Sequence, residues 1–138
     1  MCMTNLTGLR KYGILRPATS PRSPTLRVSF RTSIGIHRTQ VQAFGIGSVK
    51  FFILPGEMFH RFATKVRAAL PEANCLFSTL SDGWNGYIPT PELVDMYEDL
   101  YNKIYEIKLC HGSQLERNAG DIIADAAIEL AKNCFCVK

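Results

Sequence analysis

The chain has 138 residues, a 46% apolar composition and a formal net charge of +4. That is enough apolar material for one domain with a core and too much for a disordered chain. No apolar run approaches the ~18 residues that span a bilayer. The charge is unevenly placed: residues 1–56 hold eight Lys/Arg and no acid, and residues 57–138 hold eight Lys/Arg against all twelve acids. The halves are therefore read separately.

Residues 1–25 are Arg-, Ser- and Thr-rich, with prolines at 17, 21 and 24. They lack the continuous apolar region of a secretory signal peptide and resemble a transit peptide weakly. They are read as a disordered basic arm, with a domain over 26–138. The five cysteines include no C-x-x-C pair and are read as free thiols in a reducing compartment.

"LRVSFR" alternates, with Leu26, Val28 and Phe30 on one side and Arg27, Ser29 and Arg31 on the other, which predicts a strand over 26–31. A hairpin follows, with strands over 39–46 and 49–54 joined at Gly47-Ser48. The second strand is almost wholly apolar, which predicts a central strand covered on both faces. From Glu57 the period becomes helical and predicts a helix over 57–70, then a strand over 74–80. The loop "SDGWNGYIPTPE" leads to a helix over 91–104, with Thr90 as cap and Pro91 as first residue. A last helix is predicted over 118–133, with Asp121 in a relative of the capping box and Ala119, Ile122, Ile123, Ala126 and Leu130 on its apolar face. The expected fold is α/β or α+β, a mixed sheet with flanking helices.

Glu57 is the first acid in the chain and follows a predicted buried strand. At the carboxyl edge of an α/β sheet it has a ligand-binding position, and in a first helical turn it also complements the helix dipole. If 74–80 runs parallel, Asp82, Trp84, Asn85 and Tyr87 gather beside it, and a carboxylate with a phenol can bind a metal or polarise a carbonyl. Glu57 and His60 also have the E-x-x-H spacing of di-iron bundles, but a strand-rich chain lacks the partner helices. His60 and His111 are read as ordinary surface and loop residues.

"LPGEMF", "LSDGWNGYIPTPE", "YEIKL" and "NAGDIIADAAIEL" resemble, in order and in spacing, the C-terminal part of the catalytic domain of the neutral/alkaline non-lysosomal ceramidases and their bacterial relatives. The likeness covers about residues 39–135. It implies a fragment of a zinc-dependent amide hydrolase that cleaves the N-acyl bond of ceramide-like sphingolipids. By motif, Glu57 and Tyr87 correspond to zinc ligands, Tyr87 also to an oxyanion-stabilising catalytic group, and Asp82, Gly83, Trp84 and Asn85 to the substrate loop. Asp82 stands where the family usually has Asn, and Trp84 where it has the loop's first Tyr. The family's two histidine ligands come from upstream, and His37, His60 and His111 match neither. The expectation is a C-terminal segment that is inactive alone, takes a lipid substrate once an upstream segment completes it, and self-associates through open apolar surface. No specific nucleic-acid partner is expected. The other class left open is a non-catalytic α/β binding module whose basic arm contacts nucleic acid or an acidic partner.

Overall fold

The computed structural model describes residues 25–32, 35–81, 86–101 and 115–134. Strands β1 (Thr25–Thr32), β2 (Gly35–Ile46) and β3 (Val49–Ile53) form an antiparallel meander. A two-residue strand β4 (Glu57–Met58) leads into helix α1 (His60–Ala69), and β5 (Asn74–Ser78) returns parallel to β3. A second short strand β6 (Tyr87–Ile88), then α2 (Pro91–Tyr101) and α3 (Ala119–Cys134), complete the order. The larger sheet runs β1-β2-β3-β5, and β4 and β6 pair separately. The fold is a mixed sheet with flanking helices, as the alternating and helical periods predict. Residues 1–24 lie outside the described residues, so of the basic arm only Thr25 is placed, at the start of β1.

The inward side of the sheet carries Leu26, Val28, Phe30, Val41, Ala43, Phe52 and Cys75, all buried. Helix α3 packs against β1, β2 and α1, and α1 against β5. Phe62 and Val66 form the buried stripe of α1, and Leu70, just past its end, continues the four-residue spacing into the core. The buried face of α3 is broader than a single stripe, because Ala124, Ala127 and Ala131 are buried with Ile122, Ile123 and Leu130. Alanine's small side chain lets the helix approach the sheet and α1 at once. Burying one large side chain such as Phe52 or Phe62 contributes about 2–3 kcal/mol.

Several boundaries differ from expectation. The second strand starts at Gly35, because Ile36 and Arg38 continue the outward alternation while polar His37 and Thr39 take inward positions that hid the period. The β2–β3 connection is two residues, with Gly47 at φ 58° supplying the left-handed geometry such a tight link needs. β3 is interior in the sheet, and among the described residues it is covered on one face only. Phe52 is fully buried, whereas Phe51 and Ile53, on the other face, are half-exposed. Asp121 turns toward α1, where its carboxylate accepts the Lys65 ammonium at 2.8 Å. Among the described residues no helix is long and apolar enough to cross a membrane. Cys75 is a free, buried thiol, and burial pushes its pKa up against the opposing field of Arg67.

Candidate functional site

After Ile53 the chain leaves the four-stranded sheet through a turn that only glycine permits. Leu54 still donates to the Ser78 carbonyl at 2.8 Å, extending the parallel pairing by one bond. Pro55 is buried, and Gly56 has φ 64°. A Cβ on Gly56 would lie 2.8 Å from Ile88 Cδ1 and 2.9 Å from the Gly86 carbonyl oxygen. The second of these neighbours is backbone and cannot swing aside. Glycine is required here by conformation and by close approach together.

That turn sets Glu57 against the end of the following loop. Glu57 N–H donates to the Gly86 carbonyl at 2.8 Å, and Phe59 N–H to Ile88 at 3.4 Å. β4 and β6 run parallel, with Glu57 opposite Tyr87 and Met58 opposite Ile88. Ile88 is fully buried and Met58 packs on the core. Side chains alternate along a strand, so Glu57 and Tyr87 share the opposite, outward side. Tyr87 is 49% exposed and Glu57 half-buried. Two residues thirty positions apart are thus held side by side at the carboxyl end of the parallel β3–β5 pair, and the backbone fixes their register.

The helix expected to begin at Glu57 begins at His60. Glu57 belongs to β4, and the first turn of α1 contains no acid. Glu57 therefore does not complement the α1 dipole, and ladder pairing explains its position. The same shift breaks the helical E-x-x-H arrangement, since Glu57 is in a strand and His60 is exposed at the start of α1. Asp82, Gly83, Trp84 and Asn85 lie outside the described residues, as does His111. His37 faces inward on β2, its ring 5.2 Å from Phe30 and its buried Nε2 without a hydrogen-bond partner among the described residues. Among the described residues no three His, Cys, Asp or Glu side chains gather as a metal site.

Helix α2 is anchored beside this site. Thr90 Oγ1 accepts the Leu93 N–H at 3.4 Å, so the expected cap is in place. Glu92 binds Arg61 of α1. The guanidinium holds the Glu92 carboxyl down at about 2. Asp95 receives a two-pronged contact from Arg117, both arms at 2.6 Å, which lowers its pKa. At Lys65, burial lowers the pKa, but the hydrogen bonds its ammonium donates to Asp121 and Asp125 outweigh it and the net shift is upward.

One further group comes together only through the strand register. On the outward side of the larger sheet, Arg27, Arg31 and Arg38 share a face with the stacked rings of Phe44 and Phe51. The alternation in "IHRTQVQAFGI" carries the signal, but only the register shows which residues meet. No protein-family model, curated protein or solved structure matches the chain.

Proposed function

We propose that this chain supplies part of a zinc-dependent amidohydrolase centre of the neutral ceramidase kind, which cleaves the N-acyl bond of ceramide-like sphingolipids. The observation that supports this reading is the direct register of Glu57 and Tyr87 across the parallel pair β4–β6. A carboxylate and a phenol oxygen suit a borderline cation, and their backbone is held by hydrogen bonds and by the Gly56 turn. They make two ligands of the four that zinc takes, so the remaining donors come from a further segment. When bound, zinc activates water near neutral pH and polarises an acyl carbonyl. Glu57 brings the negative charge that favours a dication. Tyr87 brings a hydroxyl that can donate to the oxyanion developing on the amide carbonyl. Half-exposure of Tyr87 leaves that face open to substrate.

Zinc titration and an N-acyl sphingosine hydrolysis assay test the reading, on the chain alone and mixed with a segment carrying histidine ligands. The expected result is weak zinc affinity and no hydrolysis from the chain alone, and hydrolysis on mixing that Glu57→Gln or Tyr87→Phe each reduces sharply. No zinc binding and no hydrolysis in either sample would overturn it.

A further inference from the structure

Among the described residues, α1 and α3 pack on one face of the four-stranded sheet and leave the other bare. In register order, the bare face reads from a cationic side to an apolar side. Arg27 and Arg31 stand on β1, and Arg38 on β2 lies between them, opposite Ser29. Gln40 and Gln42 continue along β2. Phe44 then meets Phe51 of β3, their rings stacked at 4.8 Å and 7°. Leu76, opposite Phe51 on β5, and Ile46 at the hairpin end are 50% and 65% exposed.

The charge on this face has one sign. The four strands contain no acidic residue. Arg27, Arg31 and Arg38 are all exposed. None forms an ion pair with a described residue, although four other cation–carboxylate contacts tie the helices together. Glu116 reaches the β1 edge, but its carboxylate is engaged by the Arg31 backbone N–H at 3.0 Å. Alternate residues on one strand stand about 7 Å apart, so the three guanidinium groups form a short track. Guanidinium groups recognise phosphate, amide side chains hydrogen-bond base edges, and aromatic rings stack on bases.

From this arrangement we propose that the bare sheet face binds single-stranded nucleic acid without strict sequence preference, with phosphates along Arg27, Arg38 and Arg31 and bases over Gln40, Gln42 and the Phe44–Phe51 pair. The polar glutamines in the middle of the face fit a base-bearing chain better than a lipid surface. An open sheet face with stacking rings fits an unpaired strand better than a duplex, whose base faces are already stacked. The inference is independent of the Glu57–Tyr87 reading.

The test is fluorescence anisotropy of labelled oligo(dT) and oligo(U) with the full chain over a salt series, beside a duplex of equal length and phosphatidylserine vesicles. Single strands should bind more tightly than the duplex and the vesicles. Arg27→Gln, Arg31→Gln and Arg38→Gln together should flatten the log–log salt slope by about 2, since each single-strand phosphate contact contributes ~0.7. Phe44→Leu keeps apolar volume but removes a ring, and should weaken binding roughly tenfold at unchanged slope. Circular dichroism melting verifies that these surface variants remain folded. Absence of oligonucleotide binding at low salt overturns the proposal. A wild-type slope in the triple variant also overturns it, because cations outside the sheet would then carry the affinity. Equal or tighter binding of duplex or vesicles overturns it in favour of a general polyanion or lipid surface.

Discussion

Gly120 of α3 lies directly against the ring of Phe62 of α1, where a Cβ would overlap ring atoms. Phe62 is only 2% exposed, so the ring has little room to retreat. Gly120→Ala gains helix propensity worth up to about 1 kcal/mol, yet the overlap forces the two helices apart. The expected net result is destabilisation of about 1–3 kcal/mol. Urea unfolding should show a lower midpoint at unchanged slope. An unchanged or higher midpoint would mean that α1 and α3 slide past one another freely.

Gly56→Ala should disturb a different region. Its φ of 64° and its closeness to the Gly86 carbonyl both oppose a side chain. A cost of about 1–3 kcal/mol is expected, with the β4–β6 ladder opening first. Amide hydrogen exchange at Glu57 and Phe59, two of the donors in that ladder, reads the effect directly. Unaltered protection there would refute it.

Leu80 holds a positive φ of 59° without being glycine, and its N–H donates to the Gly56 carbonyl at 2.9 Å. Its side chain is 47% exposed, so little packing offsets the strain. Leu80→Gly relieves the conformation but adds freedom to the unfolded chain. The balance should be neutral to stabilising, by up to about 1 kcal/mol. A clear loss of thermal stability would show that the leucine side chain is needed for packing.

Acid should loosen α2 before it unfolds the core. The folded carboxyl of Glu92 is held at about 2 by Arg61, against an ordinary value of 4.5. A depressed folded pKa gives stabilisation that is present above the ordinary value. It is lost progressively as pH falls from about 4.5 toward 2. Asp95, lowered by Arg117, acts in the same sense. NMR titration should show the Glu92 carboxyl titrating near 2, and Arg61→Gln should return it toward 4.5. A Glu92 midpoint near 4.5 in the unaltered protein would exclude a persistent pair.

The apolar part of the bare face should promote association at high concentration. The sequence predicts an open surface around Phe51, Phe52 and Phe77, and of these only Phe51 belongs to it. Phe52 is core, and Phe77 is stacked on it at 5.3 Å with the Arg67 guanidinium 4.8 Å from its ring. Phe44, Leu76 and Ile46 join Phe51 in the open surface. Sedimentation at micromolar concentration should show reversible self-association that Leu76→Lys suppresses, and a strict monomer would contradict it.

Local signals account for what could be read from the sequence. Alternation in "LRVSFR", the Gly47-Ser48 link and the Thr90-Pro91 helix start each depend on a few neighbouring residues, and each is where it was expected. The start of α1 is not legible in the sequence because Met58 and Phe59 fit a helical period and a strand end equally well. What decides is the pairing of Glu57 and Met58 with residues thirty positions later. The apolar Phe51 and Ile53 predict a β3 covered on both faces, because composition does not report which face a described neighbour covers. The closeness of Glu57 and Tyr87 was anticipated from parallel strand order, while their exact ladder register emerged only from the backbone.

The position of α3 in the chain has a consequence for biosynthesis. It is the last described element, yet it packs on β1 and β2, nearly a hundred residues earlier. A growing chain can close its hairpins early, but Leu26, Val28, Phe30 and Val41 wait for Ala119 onward before water is excluded from them. Contacts of such long separation slow folding and prolong the exposure of apolar surface. A message that stops short of codon 119 should therefore yield a chain that engages chaperones and is degraded, even though every strand of the larger sheet has been made.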